Sequence, residues 1–596
     1  MIHISLKNCA IDMILGFFTA YANTRTTTQR TVPCVPSPVS QQPLNKKIRE
    51  TSKMKSSIRK TVAIAVVLCL VLAVFCAQAA DLGGDWGYQT AQDGSASITA
   101  YHGKGGNVTV PDTLDGLKVT SIGTQVFAGN RKLKSIILPE GITRLEYGVF
   151  SDCTNLAKVT LPQSLMEIGD LAFFRCKALK QIELPENLSV LTENLFGYCT
   201  SLTEIQLPKG VSTIHQTVFD GCTKLNKIAV SPDSTHFASV DGVLYDKDVK
   251  TLLRYPQGKP GKSFDIPKGV TEIGRNSFLG VNLTNVTIPE GVTAIGDWAF
   301  AIASKLKSPA LPQSLASIGE NAFDRCSAFT TITIPDATVK IAASAFQSCK
   351  KLTSFNVSAN HPAYAQEDGV VFDKQKKSLL FYPNGKKGAA YTVPDGTETI
   401  APYAFIFTNV NSINLPEGVK AIGEYAFYGT KLKSISFPNT VTEVGKFAFF
   451  SCRSLKEVKL PDSLITLGEA AFNHCSGLKR VILPASMTSI PQVTFSACKS
   501  LTSIEFPAGL KRIENAVFLD CSSLTNVILP EGLTTINIYA FARCRKLKTV
   551  EIPASVTLIE KDAFVYSPKV KLIVADGSYA QTFAKEQGIA FEVKGQ

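Results

Sequence analysis

The chain has 596 residues, of which 45% are hydrophobic and 19% are charged, and its formal net charge is +13. Residues 1–80 contain ten Lys/Arg and two Asp/Glu, so only +5 of that charge remains for residues 81–596. This mild surplus, without a block of Lys/Arg, argues against the basic stripe of a nucleic-acid-binding protein. The hydrophobic residues are spread evenly through the repeats described below, which favours one long domain.

Residues 54–80 have the pattern of a bacterial signal peptide. A basic start is followed by an apolar run at residues 62–77, and Ala77-Gln78-Ala79 is a cleavage site of the A-x-A type. An uncleaved membrane anchor is the alternative, because residues 61–80 are nearly long enough to span a bilayer. We interpret residues 1–53, which make poor sense ahead of a signal, as a misassigned upstream extension.

Residues 81–120 are predicted to form an amino-terminal cap. Trp86-Gly87-Tyr88 and residues 98–103 flank a group of small residues, a pattern that favours a hairpin. Such a hairpin would cover the exposed end of the repeats that follow.

Phenylalanines recur from residue 127 at intervals of 22 or 23 residues, with two intervals of 59. These ladder phenylalanines are Phe127, Phe150, Phe173, Phe196, Phe219, Phe278, Phe300, Phe323, Phe346, Phe405, Phe427, Phe449, Phe472, Phe495, Phe518, Phe541 and Phe564. A fixed period in this range is the signature of a solenoid, in which each unit buries its apolar face against its neighbours. We assign the solenoid to residues 121–566.

One repeat shows how a coil is built. Val159-Thr160-Leu161 alternates apolar and polar side chains and ends at Pro162, which predicts a short strand. Leu165 and Ile168 form a second apolar pair, and Phe173 fills the interior. Stacked coils would place their strands about 4.8 Å apart in one parallel sheet, and roughly nineteen coils would make it on the order of 90 Å long.

Eleven of the fifteen cysteines lie three residues after a ladder phenylalanine, and the other four precede residue 81. The eleven are Cys153, Cys176, Cys199, Cys222, Cys326, Cys349, Cys452, Cys475, Cys498, Cys521 and Cys544. Metal ligation or disulfide bonding is one interpretation. We favour small buried thiols, one per coil, because other repeats replace the cysteine by Val281 or Thr430.

The two long intervals contain insertions at about residues 228–266 and 355–393, with related sequences 127 residues apart. Each has apolar residues on both sides of an Asp-Lys turn, which predicts a hairpin that projects from the stack. Insertions in solenoids often lie on a binding face, so we name Tyr245, Tyr255, Phe372 and Tyr382 as candidate partner-binding residues. The alternative is a modified coil that adjusts the curvature.

The outward strand positions are the other candidate surface. Their side chains are small, polar or of mixed charge, and Thr160, Glu183, Gln206, Lys459 and Glu505 are the candidate contacts. This column contains no aromatic residue, which argues against stacking of carbohydrate or of single-stranded nucleic acid along it. A broad protein-binding surface of modest affinity fits these residues.

The repeats share the pattern Leu-x-x-Ile-x-Leu-Pro-x-x-Leu-x-x-Ile-Gly-x-x-Ala-Phe-x-x-Cys. Residues 205–208 and 292–300 are close instances. This pattern resembles the BspA-like, or Treponema-type, leucine-rich repeats of bacterial surface proteins. The resemblance implies a right-handed leucine-rich-repeat solenoid with short parallel strands, and attachment to host cells, to matrix proteins such as fibronectin and fibrinogen, or to other bacteria.

The carboxy-terminal residues 567–596 are predicted to form a second cap. Residues 579–587 have a short helical pattern and residues 590–593 that of a last strand, which would close an edge prone to aggregation. No cell-wall sorting signal follows the cap, so we expect either secretion or retention on the cell surface.

The sequence contains no recognisable catalytic or metal-binding motif. The six histidines have no metal-ligand spacing, and no nucleophile elbow or P-loop occurs. We therefore expect no enzymatic activity, cofactor, bound metal, small-molecule substrate or nucleic-acid partner, and membrane contact only through an uncleaved signal segment. The predicted function is protein binding outside the cell, and a self-associating structural protein of the envelope is the alternative.

Overall fold

The computed structural model describes residues 84–595. Over this range the chain winds into a parallel β-solenoid of about 22 turns, with repeats of about 23 residues and little helix. This confirms the predicted fold class, with a few more turns than the nineteen expected. The predicted signal peptide, residues 54–80, and the upstream extension, residues 1–53, lie outside the described residues.

The first part of the solenoid comprises the amino-terminal cap and the coils before the first insertion. Its strands are β1 (Trp86–Thr90), β2 (Ala96–Tyr101), β3 (Gly106–Thr109), β4 (Thr113–Leu114), β5 (Leu117–Ile122), β6 (Leu133–Ile137), β7 (Arg144–Leu145), β8 (Lys158–Thr160), β9 (Glu167–Ile168), β10 (Val190–Leu191), β11 (Glu204–Leu207), β12 (Thr213–Ile214) and β13 (Lys227–Val230). Strands β1 and β2 pair antiparallel, as the sequence of the cap predicts.

The second part begins with the first insertion. Its strands are β14 (Phe237–Val240), β15 (Val243–Asp246), β16 (Thr251–Arg254), β17 (Ser263–Asp265), β18 (Glu272–Ile273), β19 (Asn285–Thr287), β20 (Ala294–Ile295), β21 (Ser317–Ile318), β22 (Thr331–Ile334), β23 (Lys340–Ile341) and β24 (Ser354–Val357). Strands β14, β15 and β16 form an antiparallel meander, and β16 then pairs parallel with β18.

The third part begins with the second insertion and ends with the carboxy-terminal cap. Its elements are β25 (Tyr364–Glu367), β26 (Val370–Asp373), β27 (Ser378–Phe381), β28 (Ala390–Thr392), β29 (Thr399–Ile400), β30 (Ser412–Asn414), β31 (Ala421–Ile422), β32 (Glu443–Val444), β33 (Glu457–Lys459), β34 (Thr466–Leu467), β35 (Arg480–Ile482), β36 (Ser489–Ile490), β37 (Ser503–Glu505), β38 (Arg512–Ile513), β39 (Asn526–Ile528), β40 (Thr535–Ile536), β41 (Thr549–Ile552), β42 (Leu558–Ile559), β43 (Lys571–Val574), the helix α1 (Tyr579–Gln587) and β44 (Ala590–Val593). The bounds of α1 and β44 are those that the sequence pattern predicts.

The strands stack in two columns rather than in the single continuous sheet that we predicted. Column A contains the strands that precede the repeat proline, such as β33, β35 and β37. Column B contains the two-residue strands formed by the second apolar pair, such as β38, β40 and β42. Both columns are interrupted; at residues 308–311, for example, Pro309 has no N–H to donate to a neighbouring coil.

The ladder phenylalanines stack through the core in three blocks, which are separated at the two insertions. Neighbouring rings within a block lie between 4.8 Å (Phe278 to Phe300) and 6.1 Å (Phe196 to Phe219) apart, measured between ring centroids. At the insertions a tyrosine takes the place of the missing ring: Tyr255 stacks on Phe278 at 5.3 Å. The insertions are therefore coils of the solenoid, with a core of their own.

The third side of each coil is a turn that contains the ladder phenylalanine, from about three residues before it to two after it; we call the stacked turns the turn wall. The residue two positions after each of the 17 ladder phenylalanines has a positive φ, including Ile302 at 62° and Phe407 at 55°. A positive φ is unfavourable for such side chains. Backbone hydrogen bonds between coils compensate, as between Asp152 N and Phe174 O at 2.8 Å.

All eleven described cysteines are free and buried, which confirms the interpretation as packed thiols. Each thiol donates to the carbonyl oxygen of the ladder phenylalanine in the preceding coil, as Cys475 Sγ does to Phe449 O at 3.1 Å. In the last repeat Ser567 makes the same contact, to Phe541 O at 2.7 Å. Burial raises the pKa of Cys153 and Cys544 to about 12, so these thiols are poor nucleophiles.

Candidate protein-binding surfaces

The outward positions of column A form the first candidate surface, which we call the strand face. Thr160, Glu183, Gln206, Lys459 and Glu505 are all exposed on it. The first three lie on successive coils of the first part. The other two lie two coils apart on β33 and β37, in register with β35 between them. The structure thus separates these residues into two groups far apart along the solenoid.

The second of these groups contains a charged network. Arg480 on β35 lies 3.2 Å from Glu457 and 2.5 Å from Glu505, between guanidinium nitrogens and carboxylate oxygens. The hydrogen bond that Arg480 donates to the carboxylate of Glu505 raises the pKa of Arg480. All three side chains are about half exposed, and exposed ion pairs contribute only about 0–1 kcal/mol. The network therefore gives this face a defined charge pattern and little stability.

The aromatic residues of the insertions do not belong to a surface, contrary to our prediction. Tyr245 and Phe372 are 0% exposed, Tyr255 is 2% exposed and Tyr382 is 5% exposed. Tyr245 and Phe372 lie on the middle strands β15 and β26 of the two meanders, and Tyr255 and Tyr382 are rings of the phenylalanine stack. Burial raises the pKa of Tyr255 and Tyr382 to about 12. A partner cannot touch these side chains in the folded protein.

The histidine with the most defined surroundings has a structural role. His361 is fully buried, its Nε2 lies 3.1 Å from Pro335 O, and its Nδ1 accepts from the backbone N–H groups of Ala363 and Tyr364. The contacts assign the proton to Nε2 and fix the turn before β25. Between residues 84 and 595, no group of three or more His, Cys, Asp or Glu side chains is arranged to hold a metal ion.

A second candidate surface lies on the turn wall directly after the second insertion. We call it the aromatic patch, and its members are Tyr403, Phe407, Tyr425, Tyr428, Phe447, Phe450 and His474. They occupy four successive coils, at positions two before or one or two after the ladder phenylalanine. Phe407 is 42% exposed, and the other rings are half-buried.

The rings of the aromatic patch form two connected rows. In one row, Tyr403 stacks on Tyr425 at 5.2 Å and Tyr425 on Phe447 at 4.9 Å. In the other, neighbouring rings are tilted: Tyr428 and Phe450 lie 5.1 Å apart at 73°.

Our sequence analysis missed this patch. The signal was present: three successive repeats read Tyr403-Ala-Phe, Tyr425-Ala-Phe and Phe447-Ala-Phe. Elsewhere an aromatic residue occurs two positions before the ladder phenylalanine only singly, as Trp298 and Tyr539, and the other repeats have residues such as Gln125 or Leu171. The periodicity predicts that such positions stack on one another, but it does not indicate that they face outward.

The sequence also matches a family model described as "BspA type Leucine rich repeat region". The model matches in six copies, over residues 120–240, 257–366, 384–476 and 443–571, which is more than half of the chain. The chain belongs to the BspA-type leucine-rich repeat family. No curated protein sequence matches it significantly.

Several solved structures of bacterial leucine-rich repeat proteins are similar to this member of the family. One from Eubacterium ventriosum is 20% identical, with 82% of this chain and 94% of that one covered and a TM-score of 0.38. One from Bacteroides ovatus is 20% identical, with 86% and 99% covered and a TM-score of 0.32. A leucine-rich cell surface protein from Faecalibacterium prausnitzii is 22% identical, with 84% and 95% covered and a TM-score of 0.25. At these scores the family assignment rests on the family model alone.

BspA-type repeat proteins include bacterial surface antigens, and leucine-rich repeat domains generally bind proteins and are generally non-enzymatic. In the described part of the chain, no helix is both long and apolar enough to cross a membrane.

Proposed function

We propose that the protein is exported and binds other proteins at the bacterial cell surface, as an adhesin without catalytic activity. The observation that carries this proposal is the strand face: exposed side chains of mixed charge, repeated coil after coil on a rigid stack. Lys459 and Glu505, held in register on β33 and β37, are the kind of polar, separated contacts that a protein partner can engage over a large area.

The charged network on β35 gives the partner a chemical preference. Arg480 between Glu457 and Glu505 offers both donors and acceptors within one small area. Partners with alternating charges complement such a pattern, and charge complementarity governs the rate of association and the choice of partner more than the final affinity.

Binding of the full chain to immobilised fibronectin, fibrinogen and whole host cells tests this proposal. We expect saturable binding that weakens at least tenfold when Glu457 and Glu505 are both replaced by Lys, because the complementary charges are then reversed. The matched control is Glu398→Lys, which changes an exposed, ion-paired carboxylate beside column B. If the double variant binds as tightly as the wild-type protein, the binding site does not lie on the strand face. Absence of binding together with concentration-dependent sedimentation would support the self-associating structural protein instead.

Export is tested separately by expression in a bacterial host. We expect the secreted or surface-exposed protein to begin at Ala80 or Asp81, after cleavage at Ala77-Gln78-Ala79, and intact-mass spectrometry identifies that terminus. A protein that keeps residues 54–80 and sediments with the membranes would support the anchor instead.

A further inference from the structure

The amino-terminal cap leaves one edge of column A open. Strands β1 and β2 continue column B beyond β5, whereas β3 is the first strand of column A and has β6 as its one partner among the described strands. Val110 N donates to Ile137 O on β6 at 3.0 Å. Because successive N–H groups of a strand point to opposite sides, those of Asn107 and Thr109 point to the open edge.

A cleft of about 360 Å³ lies at this edge. Residues 107–109 of β3 line it, together with Asp85, Trp86, Tyr101, Lys104 and Gly105. Its volume is in the range of sites that hold a small ligand or a short peptide. The cleft therefore combines backbone groups that can pair with a further strand and side chains that can contact it.

Two aromatic rings of the cleft are held in place by the core. Trp86 and Tyr101 lie 4.9 Å apart, and they lie 6.1 and 4.9 Å from Phe127, the first ring of the phenylalanine stack, measured between ring centroids. Tyr101 also packs over Gly103, where a Cβ atom would clash with the tyrosine hydroxyl. Both rings are only half-buried, so they offer apolar surface on a rigid support.

The charged side chains of the cleft balance each other. Asp85 and Lys104 are both exposed, and they give the site one negative and one positive charge. A segment that fits between them gains little from a net charge of its own. The site thus favours an uncharged segment with an apolar side chain for the rings.

We propose that this cleft binds an uncharged, extended segment of a partner protein, which adds to β3 as a further strand and places an apolar side chain against Trp86 and Tyr101. In such strand addition the main-chain hydrogen bonds provide affinity, and the side-chain pocket provides selectivity. The inference names a second surface and the chemistry of its partner, and it rests on the proposed protein-binding function. Many coils separate the cleft from Glu457 and Glu505 on the strand face, so each site can fail alone.

Fluorescence anisotropy with the full chain tests this inference. The probe is the fluorescein-labelled, amidated peptide Gly-Ser-Thr-Ile-Phe-Thr-Ser-Gly. We expect saturable binding that weakens about tenfold or more when the Phe of the peptide is replaced by Lys or Asp. Two further peptides are N-methylated, one at Ile and one at Phe. Only one of them should lose affinity, because neighbouring N–H groups of an added strand point to opposite sides.

The emission of Trp86 gives a second readout at the site itself. The chain contains two tryptophans, Trp86 and Trp298, so Trp86 is the sole source of tryptophan emission in the variant Trp298→Phe. We expect unlabelled peptide to shift this emission to shorter wavelength, because the peptide displaces water from the indole ring.

The decisive variant is Thr109→Pro, which removes one N–H group from the open edge and leaves both rings in place. Proline is tolerated on edge strands where the N–H faces solvent, so the circular dichroism spectrum should stay that of the wild type. We expect binding of the peptide to weaken about tenfold. The matched control is Thr109→Ala, which keeps the N–H group and should bind as tightly as the wild type. Trp86→Ala should weaken binding, whereas Trp298→Ala should not.

Three outcomes would overturn the inference: equal affinity of the Thr109→Pro and Thr109→Ala proteins, equal affinity of the two N-methylated peptides, or tighter binding of the Lys or Asp peptide than of the Phe peptide. Self-association on sedimentation that Thr109→Pro abolishes, without binding of the peptide, would assign the edge to a second copy of the chain and also overturn it. If the Phe peptide fails while fibronectin, fibrinogen or host cells bind, the inference is wrong and the proposed function stands. If the peptide binds as described and none of those partners does, the inference holds and the proposed site on the strand face is wrong.

Discussion

The two insertions have the same backbone path but fill one buried position in different ways. In each, an antiparallel meander leads into column B, through β16 in the first insertion and through β27 in the second. Arg254 at the end of β16 corresponds to Phe381 at the end of β27, 127 residues later. A charged side chain and an aromatic one thus occupy equivalent places in two copies of one structure.

The first insertion satisfies its buried arginine with one carboxylate and two carbonyl groups. Arg254 is 4% exposed, and its Nη1 lies 2.8 Å from Asp220 Oδ1. The guanidinium also donates to Asn276 O and Phe219 O, both at 3.0 Å. Asp220 Oδ1 has no well-directed hydrogen bond despite this short distance, so the pair is held mainly by charge.

The second insertion uses packing instead. Phe381 lies 6.0 Å from both Phe346 and Phe355, between ring centroids, and Gln347 takes the position of Asp220. The ion pair therefore does not determine the fold of the insertion, because the same backbone path forms without it. A buried ion pair can often be replaced by apolar groups, but removal of one partner alone is costly.

The largest effect is expected when the pair is broken from one side. Asp220→Ala leaves the guanidinium of Arg254 buried without a carboxylate, and we expect a loss of about 3 kcal/mol, at the lower end for such pairs because Asp220 keeps some contact with solvent. Native-state hydrogen exchange at β16 measures this loss of stability locally. A local measurement is needed because long repeat arrays often do not unfold in a single transition. The matched control, Gln347→Ala, should change the exchange at β27 by less than about 0.5 kcal/mol.

The buried position of the second insertion can be copied into the first by two substitutions. Asp220→Gln together with Arg254→Phe should recover most of the stability lost in Asp220→Ala, because it recreates the pair Gln347 and Phe381. A double variant as unstable as the single one would show that the two insertions are not interchangeable at this position.

The middle strands of the meanders offer a smaller test. Tyr245 on β15 is fully buried, and its hydroxyl has no hydrogen-bond partner; Phe372 has no hydroxyl at the corresponding place on β26. We expect Tyr245→Phe to stabilise the first insertion by about 1 kcal/mol, and Phe372→Tyr to destabilise the second by about 1–3 kcal/mol. Hydrogen exchange at β15 and β26, measured at increasing urea concentration, gives both changes in the free energy of unfolding. A loss of stability in Tyr245→Phe would contradict this account of the hydroxyl.

A contact common to both insertions should give equal effects. Lys259 donates to the carbonyl oxygen of Asp241 at 2.6 Å and lies 2.9 Å from its carboxylate, and Lys386 does the same with Asp368, at 2.6 and 2.9 Å. Replacement of either lysine by Met should cost about 1 kcal/mol. Native-state hydrogen exchange beside each turn measures the loss, and losses that differ clearly between the two variants would argue against equivalent turns.

The smallest expected effect depends on pH and occurs beside the second insertion alone. Hydrogen bonds from Lys377 and Lys420 lower the pKa of Glu398 from 4.5 to about 2, and the corresponding residue near the first insertion is Thr271. The contribution of Glu398 is present above about pH 4.5 and is lost as the pH falls toward 2. The hydrogen-exchange protection factors at β29 should therefore fall with acid more than those at β18, and Glu398→Gln should remove the difference. An equal fall of the protection factors in both coils would contradict this.

Much of the fold follows from the sequence because the repeat imposes it many times. Phe173 and its equivalents predict the stack, and the small thiols three residues later predict one buried cysteine per coil. The final helix and strand were also predictable, since Ser578 caps α1 and Gly588 ends it in the left-handed conformation.

The surfaces were less predictable for two physical reasons. Val243-Leu244-Tyr245 is an apolar run without alternation, a sign of a strand buried on both faces, but the turn beside it favours an exposed hairpin equally well. The orientation of the aromatic patch depends on positive φ at residues such as Phe407. Side-chain preferences argue against that conformation, so it emerges only when the coils are stacked and hydrogen-bonded.

The most direct test of the central claim, that the strand face binds protein, is a lysine footprint of the full chain with and without saturating fibronectin. Acetylation followed by mass spectrometry reports each lysine separately. We predict that Lys459 on the strand face becomes protected, while Lys377 and Lys420 beside column B keep their reactivity. Protection of Lys377 and Lys420 with Lys459 unchanged would contradict it.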